Sequence, residues 1–358
     1  MTINLIFNTL KRECSLPWAW TALLLLCIQT SSFSQDAIFS QYYASSLYLN
    51  PALAGIEPSL TFASNYRMQW RSVTDPYTTS QFSLIKPLYI QREGQTHAGG
   101  IGISFYNDRS GRSDFMTNGV NINGAYNVYL SEYKTSSLTL GVQVGLIQKR
   151  LNFENLEWGS QYNPFIGFDA TLDPEHDHIS AATLYPDIGA GLLYYYNSGR
   201  DYTTHDMSGY LGISAYHLNQ PNESLIQGDV SRLPTLYKLH GGIEWHVSER
   251  LNVSPNFIIA RQGEAMQYNG GFYLNYQFSE GESKIAPTEF ILGGWYRLYD
   301  SFIAAAGFGN KYYTLAFSYD INNTSLRYNT IGRGAYEVSL RITRPRADIS
   351  RRFYTPRI

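Results

Sequence analysis

The stretch LTLGVQVGL, residues 138–146, alternates strictly between branched apolar side chains and small or polar ones. A period of two places alternate residues on opposite faces of a β-strand. The same pattern occurs in VNINGAYNVYL, residues 120–130, and in three stretches nearer the C-terminus, at 237–247, 313–321 and 336–342. The alternation predicts long strands with one apolar and one polar face as the main element of this chain.

The length and number of the strands favour a membrane barrel over a soluble β-sandwich. Sandwich strands average about 5–6 residues, whereas a tilted strand needs about 9–11 residues to cross a bilayer, the length of many stretches here. The prediction is an all-β fold, a transmembrane outer-membrane β-barrel of about 14 antiparallel strands, the even number that single-chain bacterial barrels require. The predicted strands are 59–67, 77–86, 98–106, 115–130, 137–149, 185–196, 208–217, 236–247, 251–261, 267–278, 288–297, 301–309, 312–321 and 334–344.

The composition supports the same fold class. Aromatic residues make up 15% of the chain, with 30 Tyr and 30 Gly, and charged residues make up 16%, below the roughly 25% of soluble domains. After residue 34 there is no run of 18 apolar residues, which excludes membrane-spanning helices. The formal net charge of −2 gives no indication of nucleic-acid binding.

The N-terminal residues have the pattern of a secretory signal peptide. Lys11 and Arg12 precede an apolar stretch at 17–28, and a site with small residues suited to cleavage ends at Ser34. We therefore expect residues 1–34 to be removed. Because both cysteines of the chain lie in this part, we expect the mature chain to have no thiol, no disulfide and no cysteine metal ligand.

The mature chain divides into three predicted parts. Residues 35–58 form an N-terminal segment, residues 59–344 form the barrel, and residues 345–358 form a basic tail. With an even number of strands, both ends of the barrel lie on the same side of the membrane, which we place in the periplasm. The tail then either docks on an acidic periplasmic partner or is disordered.

The N-terminal segment contains FSQYYASSLYLNPALAG, residues 39–55, which is too polar to span a membrane. Pro51 lacks a backbone donor and biases Asn50 away from helix. Tyrosines combine apolar rings with polar tips, which suits a mixed lumen wall. We expect the segment to be ordered and to plug or cap the barrel, either folded up into the lumen or lying across the periplasmic mouth. Its tyrosines include Tyr42, Tyr43 and Tyr48.

One predicted surface loop contains FDATLDPEHDH, residues 168–178, which is dense in carboxylates and imidazoles. Such groups can bind Ca²⁺ or Zn²⁺. The spacing fits neither an EF-hand loop nor an HExxH helix, so a solvated loop is the favoured interpretation and a metal site the weaker one. The candidate ligands are Asp169, Asp173, Glu175, His176, Asp177 and His178.

Ionisable residues also share the polar faces of three predicted strands. Such groups in a barrel lumen usually pair with one another or line water. A hydrolase site would need a nucleophile beside a histidine with an orienting acid, and the spacing fixes no such set. We therefore predict a non-enzymatic protein with no catalytic residue and no cofactor. The predicted lumen residues are Lys238, His240, Glu244, His246, Asp320, Glu337 and Arg341.

Four motifs are distributed along the mature chain: the stretch at 39–55, NYRMQW at 65–70, GGWYR at 293–297 and GAYEVSL at 334–340. Together they resemble the PorP/SprF family of type IX secretion membrane proteins of Bacteroidetes. The resemblance runs through the mature chain and implies an outer-membrane barrel beside the type IX secretion and gliding machinery. The positions that match the motifs are Asn50, Pro51, Ala54, Gly55, Tyr66, Arg67, Gln69, Trp70, Trp295, Tyr296 and Arg297.

The resemblance also implies partners. It implies that the protein helps export or anchor a large surface adhesin with a C-terminal targeting domain, and that it meets periplasmic components of the secretion and gliding machinery. Outer-membrane lipid surrounds such a barrel, and nucleic acid is not among the expected partners. An alternative is a plugged transport pore for a hydrophobic or small solute, because the Asn-Pro-Ala run also resembles the plug region of long-chain fatty-acid transporter barrels.

Overall fold

The structure is a computed structural model that describes residues 36–71, 75–91, 95–111, 114–131, 135–153, 156–174, 178–197, 207–279, 284–324 and 332–344. The predicted signal peptide (1–34) and basic tail (345–358) lie outside the described residues, and both stay predictions.

Fourteen strands in the described part of the chain form a closed antiparallel barrel, as the alternation predicted. Each strand pairs with its neighbour along the chain, and the last strand pairs with the first, so that Leu60 lies opposite Arg344. A further pair of two-residue strands, β6 and β7, forms a small separate sheet. The strands are β1 (Leu60–Gln69), β2 (Tyr77–Gln91), β3 (Gln95–Ser110), β4 (Phe115–Tyr129), β5 (Ser136–Arg150), β6 (Tyr162–Asn163), β7 (Gly167–Phe168), β8 (Ala182–Asn197), β9 (Met207–Tyr216), β10 (Leu236–Ser248), β11 (Leu251–Gln262), β12 (Ala265–Gln277), β13 (Glu289–Arg297), β14 (Ser301–Gly309), β15 (Tyr313–Asn322) and β16 (Arg333–Arg344).

The two ends of the barrel differ in their connections. At one end, here called the long-loop end, lie the connections 151–181 and 217–235, together with the short turn 263–264. At the other end, here called the terminal end, β1 begins and β16 ends. In bacterial barrels the longer loops face the outside of the cell and the shorter turns face the periplasm.

The wall of the barrel has an apolar outer face and a polar inner face. On β4 and β5, Val120, Ile122 and Val142 point outward and are at least half exposed, whereas the intervening Asn123 and Gln143 are buried. This arrangement is the reverse of a soluble barrel and is the one expected where the outer face meets lipid. The polar faces identified in the sequence therefore line the lumen.

The strands β2 and β3 are longer than the sequence indicated, and the predicted ends at 86 and 98 are wrong. Pro87 lacks a backbone donor, and proline normally lies at the edge of a sheet or at a bulge, yet it lies within β2. In the barrel, the register shifts between Leu88, which pairs with Gly99, and Tyr89, which pairs with His97. This bulge, with Gly99 at a φ of 149°, absorbs one extra residue, and the pairing continues past the proline.

Short helical turns precede the barrel. They are 3₁₀ turns at Tyr42–Ala44 and Pro51–Gly55 and a single α-helical turn, α1, at Ser46–Leu49. Asn50 adopts an extended conformation between them, as expected of a residue before proline. Pro51 opens the second 3₁₀ turn, where its missing N–H costs nothing. Over the described residues, no helix has the length and apolar character needed to cross a membrane.

Candidate functional site

Residues 36–58, here called the N-terminal segment, lie inside the barrel and extend from one end to the other. The side chain of Asp36 contacts His217 and Gln262 at the long-loop end. The carbonyl of Gly55 accepts a 2.6 Å hydrogen bond from Nδ2 of Asn127, close to the terminal end. Of the two predicted placements, the segment therefore occupies the lumen rather than lying across the mouth.

Four charged side chains converge on Ser40 and form the Ser40 cluster. Arg67 pairs with Asp320 at 2.9 Å and with Glu337 at 3.3 Å, and Arg297 lies 3.4 Å from Asp320. Oγ of Ser40 donates to Asp320 at 2.7 Å and accepts from Arg297 at 2.8 Å and from Arg67. All five residues are buried. Two arginines thus balance two carboxylates, with the Ser40 hydroxyl between them.

The Ser40 cluster also binds the backbone of the segment. Glu337 accepts from the N–H of Ser40 at 2.7 Å and from the N–H of Gln41 at 3.0 Å. Charge-assisted hydrogen bonds of this kind are about twice as strong as neutral ones. Because one carboxylate holds two successive N–H groups, the cluster fixes the position of the segment along the lumen.

Aromatic side chains hold the next part of the segment. The ring of Tyr43 stacks on Trp295 with 5.2 Å between ring centroids and lies 5.8 Å from the ring of Tyr273. Trp295 and Tyr42 both donate to Oδ1 of Asn256, the former at 2.8 Å. Stacked aromatic pairs contribute beyond the area that they bury. Tyr42 and Tyr43 thus contact the lumen wall through both their rings and a hydroxyl.

Asn50 connects the segment to three neighbouring strands. Its Oδ1 accepts from the N–H of Ala52 at 2.9 Å, which caps the second 3₁₀ turn. Its Nδ2 donates to the carbonyls of Leu192 and Ile213 and lies 3.1 Å from Nε2 of His240. Since this side chain is fully buried, an apolar replacement would remove these buried hydrogen bonds between the segment and the wall.

Glycines on the wall make room for the segment. A Cβ at Gly141 would lie 2.5 Å from Cα of Ala52, and a Cβ at Gly191 would lie 2.9 Å from Cγ of Asn50. Both distances are too short for a real side chain. The close approach of the segment to β5 and β8 therefore requires glycine at these positions.

The terminal end of the segment is held by charge and by a phenol. Arg341 forms an ion pair with Glu57, and the hydroxyl of Tyr89 donates to the carbonyl of Pro58. Thr61, at the start of β1, donates to Glu57 at 3.2 Å. The chain then continues into the first strand of the barrel.

At the long-loop end, His217 lies between two carboxylates. Its Nε2 is 2.9 Å from Asp36 and its Nδ1 is 2.7 Å from Asp187. Burial alone would lower the pKa of His217, but the Asp36 charge and the hydrogen bonds to both carboxylates raise this pKa to about 10. Burial alone would raise the pKa of Asp36, but His217 and Gln262 lower it well below its usual range. At neutral pH the imidazolium therefore joins the segment to the base of the 217–235 loop.

This attachment has a defined pH window. The raised pKa of His217 stabilises attachment below about pH 6.5, and this contribution is lost as the pH rises through about 10. The lowered pKa of Asp36 contributes above about pH 4 and is lost in strong acid. A nitroxide label at Ala37 should be immobile between about pH 4 and pH 10 and give a broad electron paramagnetic resonance spectrum. Outside this range the label should become mobile and the spectrum should narrow. In His217→Ala the label should be mobile at neutral pH; an equally immobile label would show that other contacts hold this end.

Comparisons with known proteins identify the family of this chain. A sequence model described as type IX secretion system membrane protein PorP/SprF matches residues 31–342. The chain belongs to the PorP/SprF family. Among solved structures, the toluene transporter TodX of Pseudomonas putida is similar, with 12% identity over 88% of this chain and 99% of that chain and a TM-score of 0.45. The toluene transporter TbuX of Ralstonia pickettii has 11% identity over 84% and 92%, with a TM-score of 0.44. Among curated proteins, none matches the sequence.

The PorP/SprF motif positions fall into two groups. Seven of them are buried in the lumen, at different depths: Asn50, Pro51, Ala54 and Gly55 in the segment, and Arg67, Trp295 and Arg297 on the wall. Tyr66 and Tyr296 point outward instead, Tyr66 being 42% exposed and Tyr296 lying 4.6 Å from Phe302. Gln69 ends β1, and Trp70 follows at a φ of 56° with its ring against Tyr77.

The family and the barrel together place the chain in the outer membrane.

Most of the predicted lumen residues also contact the segment. Lys238 donates to the carbonyl of Tyr48 at 2.6 Å and lies 4.2 Å from the centre of its ring. Glu244 lies further along β10, where Asn252 donates to it at 3.4 Å, and His246 is only half-buried. Sequence analysis missed Asp36, Ser40 and His217, which stand outside any alternating strand.

The loop with candidate metal ligands is only partly described, because Glu175, His176 and Asp177 lie outside the described residues. Oδ1 of Asp169 accepts from the N–H and the hydroxyl of Thr171 at 2.9 and 2.6 Å. Among the side chains that the structure describes, no three His, Asp or Glu are grouped so that they could hold a metal ion. A metal site in this loop stays a prediction.

Proposed function

We propose that the chain is a non-enzymatic barrel of the type IX secretion and gliding machinery that helps export or anchor a large surface adhesin with a C-terminal targeting domain. The observation that carries the proposal is that residues of the family motifs bind the N-terminal segment inside the barrel. Arg67, Trp295 and Arg297 hold an internal segment in the lumen rather than forming a site open to a substrate. Such a filled barrel suits a scaffold with binding surfaces at its two ends.

The ionisable lumen residues support a structural role. His240, the histidine nearest the middle of the segment, contacts the amide of Asn50 rather than a hydroxyl nucleophile. The two arginines and two carboxylates of the Ser40 cluster compensate one another. These side chains keep the segment in position, and no step of bond making is assigned to them.

Deletion of the gene tests the function. The deletion strain is expected to lose one very large adhesin from its surface while its other outer-membrane proteins remain. Mass spectrometry of shaved surface protein would measure the loss, and purification of the barrel from solubilised outer membranes should recover the adhesin and periplasmic machinery components. Intact surface adhesins combined with lost uptake of a solute would overturn the proposal.

The direction of the segment gives a topology prediction. Because Asp36 lies at the long-loop end and long loops face outward, residues before Asp36 should emerge at the cell surface. An epitope inserted between Gln35 and Asp36 should be detected by antibody on intact cells. The same epitope in the 249–250 turn, at the terminal end, is the control and should require permeabilised cells. Detection of both only after permeabilisation would contradict the direction proposed here.

A second candidate, the transport pore for a hydrophobic or small solute, has one observation in its favour. An apolar cavity of about 70 Å³ lies between the segment and strands β10–β12, lined by residues such as Phe39, Leu49 and Ile258. A cavity that holds benzene measures about 150 Å³. The cavity thus fits only a very small solute unless the segment moves, and we place transport second.

A further inference from the structure

The 151–181 loop carries a hairpin whose tip exposes large apolar side chains. Strands β6 and β7 pair across a tip in which Phe165 is 95% exposed and Ile166 is 69% exposed. The base is ordered, because the buried side chain of Gln161 donates to the carbonyl of Leu172 at 3.1 Å. Apolar side chains held together in solvent on a fixed support are typical of an interaction site.

A second loop holds the end of the 151–181 loop, at residues 178–180. The N–H of Ser180 donates to the carbonyl of Leu225 at 2.7 Å, and the N–H of Gln227 donates to the carbonyl of His178 at 2.9 Å. The 217–235 loop is itself fixed to the barrel by the ion pair between Lys149 and Glu223. The 178–180 end of the hairpin's loop is therefore fixed before any partner binds, and a loop that is fixed beforehand loses less conformational entropy on binding.

The charge around the hairpin indicates what kind of partner it meets. Residues 151–181 contain no Lys or Arg, and the described part of this loop has three acidic residues, Glu157, Asp169 and Asp173. Anionic lipid headgroups attract basic segments, so this acidic loop disfavours a lipid surface as the partner. A protein surface with lysines and arginines around an apolar pocket is complementary to it in both respects.

We propose that the hairpin docks in an apolar pocket of a secreted protein, with Phe165 and Ile166 as the buried anchors and a basic rim facing the acidic loop. Buried aromatic and aliphatic anchors at the centre of an interface, surrounded by charge, are the usual distribution of binding energy. The proposal rests on the proposed function, since it requires the long-loop end to face outward, and it names the surface that the client would contact.

Site-specific photo-crosslinking in the native cells tests the proposal. A photoreactive phenylalanine analogue at Phe165 should form an adduct with one secreted protein, whereas the analogue at Tyr299, which is 83% exposed in the short 298–300 loop at the same end, should not. In Glu157→Lys/Asp173→Lys the adduct should fall by about tenfold or more, since like charges facing each other oppose binding. Asp169 is left unchanged because it caps the turn at Thr171.

Three results would overturn the proposal: adducts with lipid or with a second copy of this chain alone, equal adducts at both positions, or a yield that charge reversal leaves unchanged. Phe165→Ser/Ile166→Ser separates this inference from the proposed function. If this variant retains the adhesin that the deletion strain loses, the hairpin proposal fails and the proposed function stands. Loss of the adhesin in the hairpin variant, with Tyr299→Ser unaffected, supports both.

Discussion

Replacement of Arg67 by Met is expected to destabilise the folded barrel by about 3–5 kcal/mol, the usual cost of leaving a buried charge without its partner. Arg67 is the cation that contacts both Asp320 and Glu337 in the Ser40 cluster. Asp320 would keep a 3.4 Å approach from Arg297, but Glu337 would keep only the backbone N–H groups of Ser40 and Gln41 among the contacts described above. The midpoint of denaturant unfolding, followed by the mobility of the folded barrel in unheated gels, measures the effect.

A matched control exists on β3. Arg109 also pairs with an aspartate, Asp114, but its side chain is 53% exposed, and exposed pairs contribute only about 0–1 kcal/mol. Arg109→Met should therefore shift the midpoint little. Adding Glu337→Gln to Arg67→Met removes the uncompensated charge and should restore part of the lost stability. Equal shifts of the midpoint in Arg67→Met and Arg109→Met would show that burial does not increase the contribution of the Arg67 ion pairs to stability.

The barrel could be predicted from the sequence because its determining pattern is local. The alternation in 120–130 corresponds to β4, at Phe115–Tyr129, and depends only on which side of the wall each residue faces. The hairpin within 151–181 could not be found in this way. Its strands have two residues each, too few for any periodicity, and its tip depends on Gly167 at a φ of 85°.

The candidate site was only partly accessible to sequence analysis. The break at Asn50–Pro51 was expected from local chemistry, and the structure confirms it as the start of a 3₁₀ turn. The pairing of Arg67 with Glu337 depends on the register between the first and last strands, which alternation does not determine. The contact of Ser40 with both depends in addition on how far the segment extends through the lumen, and no local pattern encodes that distance.

Replacement of Gly141 by Leu is expected to push the middle of the N-terminal segment away from β5 and to raise the conductance of the barrel in planar bilayers. Even a Cβ at this position would lie 2.5 Å from Cα of Ala52, and leucine adds three more carbons. Gly124→Leu is the control, because Gly124 lies on the adjoining β4 and a Cβ there would meet only Val142, at 4.0 Å. This control should leave the conductance unchanged.

Deletion of residues 36–55 should raise the conductance further than Gly141→Leu, because the deletion removes most of the segment from the lumen whereas the leucine displaces only its middle. With leucine at position 141, the ion pair of Glu57 with Arg341 and the contacts of Asp36 with His217 still hold the segment at its ends, so only its middle is displaced. The deletion removes the Ser40 cluster contacts and the turn at Asn50 together. Conductance that the deletion leaves unchanged, in a barrel that still folds, would show that the segment does not close the lumen. If the deletion variant does not fold, the leucine variant still tests the prediction, because its barrel keeps the whole segment.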